Sequence, residues 1–216
     1  MFFLTNDMRF PPVESASEDG IVAVGGNLSI KRLKEAYREG IFPWYDENSL
    51  LLWWSPDPRM VLPPSKVKIS KSMRNVLNKG IFKVTYNTNF KDVIKNCAKI
   101  ERPGENGTWI HTEIIEAYTK LHSLGIAKSV EVWHNNELVG GLYGVDLGHI
   151  FCGESMFSKM SNASKTAFIF LARKLERENY QLLDCQLYTN HLYTLGAREI
   201  PRKKFIDILK KTKPAF

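Results

Sequence analysis

The sequence predicts an α/β protein whose sheet mixes parallel and antiparallel strands, preceded by a small lobe. Three observations predict this. Helix-period and strand-period segments alternate from residue 63 onward; strand-like runs between residues 129 and 156 follow one another across short turns, as in a meander; and prolines at 56, 58, 63 and 64 interrupt regular structure just before the alternation begins. That break puts a boundary near residue 62, with a turn-rich N-terminal lobe over 1–62 and a larger domain over 63–216.

In the lobe, Phe10-Pro11-Pro12 reads as extended and Gly25-Gly26-Asn27 as a turn, while Ser29 caps a helix that reaches Glu39 and stops at Gly40. Three of the five tryptophans, Trp44, Trp53 and Trp54, then fall within eleven positions. Beyond the boundary, Ser70 opens a short basic helix to Asn78, and Phe82–Tyr86 reads as a strand. A helix over Asn89–Lys99 sets Phe90, Val93, Ile94 and Cys97 at helical spacing. After a polar loop over 101–107, a helix over Thr112–Leu124 sets Ile114, Tyr118 and Leu121 on one stripe and ends at Gly125. The meander strands are Ser129–His134, Leu138–Val145 and His149–Met156. A helix over Ala163–Glu178, a strand over Gln181–Tyr188 and a helix over Pro201–Lys211 finish the chain, with no internal repeat. This order resembles the acetyltransferase-like α/β fold of the GNAT type. A CoA-dependent member would carry a glycine-rich pyrophosphate loop at the N-terminus of the helix after the meander. Met160-Ser161-Asn162-Ala163-Ser164-Lys165-Thr166 has no glycine, which argues against CoA.

Composition excludes several other classes. With 216 residues, 44% hydrophobic, 25% charged and 12% aromatic, the chain reads as a folded protein with a sizeable core and not as a disordered tail. Cys97, Cys152 and Cys185 form no CxxC pair, no Cys/His spacing suits zinc, and the five histidines make no metal motif, so a reduced, cytoplasmic setting is expected. The apolar stretch 167–172 is far short of the roughly 20 residues of a membrane helix, and the first seven residues are not expected to act as a signal peptide. Lys and Arg number 30 against 23 Asp and Glu, a net charge of +7, and residues 63–102 alone hold ten basic and two acidic side chains. That segment suits a polyanion such as RNA, although a solvated basic face has the same composition.

Two strands carry the candidate chemistry. In Leu182-Leu183-Asp184-Cys185-Gln186-Leu187, alternation puts Asp184 and Gln186 on one face, about 7 Å apart, and Leu183, Cys185 and Leu187 on the other. Such a polar pair either ties a core together or orients a reacting group. Along His149–Met156, alternation puts Cys152, Glu154 and Met156 on one face, and Gly153 admits a close neighbour. Glu154 reads either as part of a site or as an ion pair with Lys159 or Lys165. Cys152 and Cys185 read as small apolar fillers. Trp44, in a proline turn, and Trp109, after a polar loop, are either core residues or stacking platforms for a base.

These motifs coincide along nearly the whole chain with those of one bacterial family. The matching stretches include Gly25-Gly26-Asn27-Leu28-Ser29, Gly40-Ile41-Phe42-Pro43-Trp44, Trp53-Trp54-Ser55-Pro56-Asp57-Pro58-Arg59, Gly107-Thr108-Trp109-Ile110, Glu137-Leu138-Val139-Gly140-Gly141-Leu142-Tyr143-Gly144, Phe151-Cys152-Gly153-Glu154-Ser155-Met156-Phe157-Ser158, Asn162-Ala163-Ser164-Lys165-Thr166 and Asp184-Cys185-Gln186. In these the chain resembles the leucyl/phenylalanyl-tRNA-protein transferases. The resemblance implies a small lobe packed on a GNAT-like domain. It also implies movement of Leu, Phe and less readily Met from aminoacyl-tRNA to proteins with N-terminal Arg or Lys, marking them for degradation by the N-degron route. It implies no cofactor and a cytoplasmic monomer without membrane attachment. The family's apolar side-chain pocket carries over to Leu142, Phe151, Met156, Phe168 and Leu171, with Leu142 where relatives have Met. Trp44 and Trp109 carry over to the terminal adenosine, Lys71 and Arg74 to the acceptor stem, and Asp184, Gln186 and Glu154 to catalysis. A CoA-dependent N-acetyltransferase and a non-catalytic tRNA-binding module are the two alternatives.

Overall fold

The computed structural model describes residues 2–5, 9–46, 49–100, 108–211 and 216; the expected polar loop over 101–107 lies outside them. Two sheets build the protein. The smaller has the order β1-β2-β4-β3, from β1 (Phe3–Leu4), β2 (Ile21–Gly25), β3 (Phe42–Pro43) and β4 (Leu52–Trp54). Helix α1 (Ile30–Arg38) packs with it, and its cap is as expected: the Ser29 hydroxyl accepts from the Arg32 amide at 3.3 Å. Such short strands carry too few residues to show a period, which is why this stretch reads as turns in the sequence.

The larger sheet gathers β5 (Arg59–Leu62), β6 (Lys83–Tyr86), β7 (Ala127–His134), β8 (Glu137–Asp146), β9 (Ile150–Ser158), β10 (Leu182–Gln186) and β11 (Arg198–Ile200). Their order is β11-β5-β10-β9-β8-β7-β6. Every pair is antiparallel except β9 with β10. The sheet is therefore mixed, and the meander β7-β8-β9 is the one the sequence predicts. Strand β5 comes from before residue 62 and lies between β10 and β11 in this sheet.

Helices α2 (Lys71–Asn78), α3 (Phe90–Ala98), α4 (Thr112–Ser123), α5 (Ala163–Arg177) and α7 (Arg202–Lys210) match the expected ones within two residues at each end. A short α6 (Asn190–Thr194), capped by Thr189, was hidden because five residues cannot show a helical period. One face of the sheet is covered by α5, whose Ala163, Ala167, Phe168, Leu171 and Leu175 meet Leu142, Phe151 and Leu183. The opposite face meets α3, α4, α7 and the small sheet in one continuous core through Val93, Ile114, Tyr118, Phe205, Leu33 and Trp53. Each such buried side chain contributes roughly 1.5–3 kcal/mol of apolar burial. The two sheets thus share a core, and α1 reaches the back of the larger one. Among the described residues no helix is long and apolar enough to cross a membrane.

Candidate active site

Strands β9 and β10 pair only from Ile150/Leu182 to Cys152/Asp184. Beyond that point β9 continues to Ser158 against β8 alone, while β10 turns away, so the parallel pair opens like a wedge. Two irregularities sit at the opening. Opposite β9, Tyr143 faces Ser155 and Gly144 faces Gly153, which leaves Glu154 as an extra residue without a partner on β8. Opposite β10, Asp184 faces Val61 and Gln186 faces Met60, which leaves Cys185 extra. Both are β-bulges, which re-aim side chains and end pairing.

The bulges overturn part of the expected alternation. Cys152 packs with Ile150 in the core beneath α3 and α4, whereas Met156 packs on the α5 side, so the two do not share a face as strict period-2 counting requires. One extra residue between them switches the parity. At the end of β10, Gln186 has φ of 64°, and the Leu187 amide donates to the Cys185 carbonyl at 2.8 Å, the pattern of a γ-turn. A non-glycine residue held there stores backbone strain, a feature that clusters at functional sites. Gly153 is also less constrained than expected: a methyl group there meets Asp184 O at 3.5 Å, an ordinary contact, whereas at Gly144 it would lie 2.2 Å from Cys152 O.

The wedge holds a cavity of about 280 Å³, at the small end of ligand sites of roughly 300–1,000 Å³. Leu142, Met156, Phe168 and Leu171 form its apolar part, Trp44 and Trp109 stand at its rim with Phe42, and Glu154, Asp184, Gln186 and His191 supply the polar groups. Nine of the ten residues expected at the catalytic centre, the side-chain pocket and the adenosine site therefore line one cavity. The exception is Phe151. It is buried in the α5-side core and lines a separate, smaller cavity with Tyr86, Lys174 and Tyr180, because its place on β9 precedes the splay. Lys71 and Arg74 are exposed on α2 and do not line the cavity. The other tryptophans of the cluster do not reach it: Trp53 is fully buried, and Trp54 stacks against Trp44 with centroids 5.2 Å apart.

The polar end is wired from below. Arg59 grips Asp184 with two parallel hydrogen bonds, Nε to Oδ1 at 2.8 Å and Nη2 to Oδ2 at 2.7 Å, both side chains fully buried. The guanidinium lies between the rings of Phe42 and Phe205, at 4.8 and 4.6 Å. Asp184 Oδ1 also accepts from the backbone amide of Gln186 at 3.0 Å. The expected Asp184–Gln186 link exists, but it runs through the backbone and fixes the strained turn instead of polarising the carboxamide. Gln186 Nε2 donates to Glu154 Oε1 at 2.9 Å, and the Tyr118 hydroxyl donates to Glu154 Oε2 at 3.1 Å. Among the described residues Glu154 forms no ion pair with Lys159 or Lys165, since the bulge turns it inward to the cavity. Loss of water around its carboxyl raises its pKa to about 7, against the opposing pull of hydrogen bonds from Tyr37, Tyr118 and Gln186. Burial pushes the Cys152 and Cys185 thiols up, which suits fillers and not nucleophiles.

Arg59, Tyr37 and Tyr118 are the participants that sequence reasoning missed. A lone arginine in the otherwise apolar Arg59-Met60-Val61-Leu62 was a usable signal for a buried ion pair. Tyr118 was placed on the correct apolar stripe, but its hydroxyl partner lies 36 residues away and leaves no local trace.

An apolar chamber that ends on a carboxylate and a carboxamide, set in a splayed parallel pair of a mixed α/β sheet, belongs to the group-transferring enzymes. A family model for leucyl/phenylalanyl-tRNA protein transferase matches residues 61–210, and one for the N-terminal domain of the same proteins matches 26–57. The leucyl/phenylalanyl-tRNA–protein transferase of Flavobacterium johnsoniae is 64% identical over 97% of this chain and 99% of its own length. That of Flavobacterium psychrophilum is 57% identical over 98% of this chain and its full length. That of Christiangramia forsetii is 56% identical over 97% of this chain and its full length. The chain belongs to the leucyl/phenylalanyl-tRNA protein transferase family, and is an aminoacyltransferase.

Proposed function

We propose that this transferase moves Leu, Phe and less readily Met from aminoacyl-tRNA to the α-amine of proteins that begin with Arg or Lys, marking them for the N-degron route in the cytoplasm. The observation that carries the reading is the cavity itself. Its apolar half, Leu142, Met156, Phe168 and Leu171, suits one uncharged side chain, and its polar half begins where the ester of that amino acid would lie. Trp44 and Trp109 at the rim offer ring faces to the terminal adenosine. Lys71 and Arg74, exposed on the basic helix α2, meet the acceptor-stem phosphates.

The ester is already activated, so aminolysis needs a neutral amine held against the carbonyl carbon. Gln186 has its Nε2 committed to Glu154, which leaves the carboxamide oxygen to accept a hydrogen bond from the attacking amine. Glu154 faces the same space as a carboxyl with pKa of about 7. An α-ammonium titrates at about 7.7–8.0, so passing one proton to Glu154 is nearly balanced. The amine nitrogen then bonds to the carbonyl carbon, the bond to the ribose oxygen breaks, and the proton held on Glu154 goes to that oxygen. Glu154 also attracts the cationic acceptor end. Asp184, neutralised by Arg59, is a positioning residue that holds Gln186 in its turn.

Single-turnover transfer of labelled Phe from Phe-tRNA to a peptide starting with Arg tests this, with Gln186→Ala beside the unaltered protein. We expect transfer that stops when the peptide's α-amine is acetylated and slows about 10²-fold or more in the variant. Equal rates in the two proteins would remove Gln186 from the mechanism.

A further inference from the structure

The carboxylate of Glu154 is reached by hydroxyls from two helices, one of them in the N-terminal part of the chain. Tyr37 is on α1 and Tyr118 on α4; both are buried, at 3% and 0% exposure, and their hydroxyls are hydrogen-bonded to each other. Tyr118 donates to Glu154 Oε2, so its own oxygen is free to accept, and Tyr37 is the donor that fits. The bonds then run in one direction, from Tyr37 to Tyr118 to Glu154, and Gln186 Nε2 meets the carboxylate from the opposite side. Tyr143 on β8 packs edge-on against Tyr118, centroids 5.6 Å apart, and fixes its ring.

Other charged and titratable groups surround this chain. Asp184 on β10 bears on Glu154 but is paired with Arg59 of β5; Cys152 of β9 is a thiol that burial keeps protonated; and His191 on α6, across the cavity, has its pKa lowered by burial and then by Lys165. None of these brings an unneutralised cation to Glu154. The tyrosines are the neutral donors available to favour its anionic form over the loss of hydration.

We infer that Tyr37 and Tyr118 are positioning residues of the transfer reaction: a two-hydroxyl relay that holds the Glu154 carboxylate in its rotamer and favours its proton-accepting form. The N-terminal part of the chain thereby contributes a side chain to the chemistry as well as a rim to the cavity. This rests on the reading of Glu154 as proton acceptor.

The test follows the Glu154 carboxyl by infrared or ¹³C NMR titration of the free protein, with Glu154→Gln assigning the signal, in the unaltered chain, Tyr118→Phe and Tyr37→Phe. Loss of the Tyr118 hydroxyl should raise the midpoint by about 0.5–1 unit, the equivalent of one ordinary hydrogen bond, and loss of the more distant Tyr37 hydroxyl by less. The acid limb of kcat/KM against pH should move up by the same amounts, with transfer recovering at high pH. His191 titrates below its ordinary value and so does not account for a limb near neutrality. Midpoints unmoved in both folded variants overturn the relay, and a moved midpoint with an unmoved limb overturns its part in catalysis. A failure of the transfer reading looks different: the unaltered protein would be inactive at every pH.

Discussion

Glu131 on β7 and Glu154 on β9 are two carboxylates of one sheet, and they are built in opposite ways. Glu131 has no exposed surface and is saturated: Thr85 and Thr88 donate to one oxygen at 2.7 and 2.9 Å, and the Ser129 hydroxyl and the Asn89 amide to the other at 2.6 and 3.4 Å. It ties β6, β7 and the start of α3 together and borders no cavity of the site. Glu154 sits on a bulge, half-buried, with neutral partners on one side and the cavity on the other. Ionised carboxylates have about four acceptor positions. Where local partners fill them all, the group is structural; where the sheet opens before they are filled, capacity remains for a substrate.

The largest effect that would test this contrast lies at the other saturated carboxylate. Arg59→Met leaves Asp184 buried without its partner and should cost about 3–5 kcal/mol in urea unfolding; a loss below about 1 kcal/mol would mean the pair is not as tightly closed as its geometry indicates. Next come the two glutamates. Glu131→Gln turns one accepting oxygen into a donor facing donors and should destabilise the protein by roughly 1–3 kcal/mol at pH 5 and pH 8 alike. Glu154→Gln should behave differently. Because its folded pKa of about 7 lies above the ordinary 4.5, the folded protein binds more protons than the unfolded chain between those values, and stability falls as pH rises through that window. The glutamine removes that slope, so the variant should gain on the order of 2 kcal/mol relative to the unaltered chain on going from pH 5 to pH 8. Parallel pH responses of the two variants would erase the distinction drawn between the sites. The smallest effect concerns the apolar half of the cavity. Leu171→Phe fills space next to Phe168 and should lower transfer of Phe relative to Leu by about tenfold in a competition assay; an unchanged ratio would place the donor side chain away from Leu171.

Much of this was legible in the sequence, and the failures have a common cause. Helices such as α3, α4 and α5 and the long strands β7 to β9 announce themselves by period, and the odd polar residues on two apolar strands, Glu154 and Gln186, point to the cavity. The very short elements β1, β3, β11 and α6 carry too few residues to show one. Alternation then failed where it mattered for the site, because each of the two strands carries one extra residue there, and a bulge is invisible to a count of two. Phe151 was put in the cavity by resemblance, yet it stands before the splay and lines its neighbour. Partners that cross the fold, Arg59 with Asp184 over 125 positions and Tyr37 with Tyr118 over 81, leave no pattern in any short window.

The most direct measurement is a crystal structure of the protein with puromycin or a similar aminoacyl-adenosine analogue. The aromatic side chain should lie among Leu142, Met156, Phe168 and Leu171, with its carbonyl carbon beside Gln186 and Glu154 and its base near Trp44 and Trp109. An analogue seated instead in the smaller cavity by Phe151 and Tyr86, or on the surface away from the splayed strands, would contradict the account.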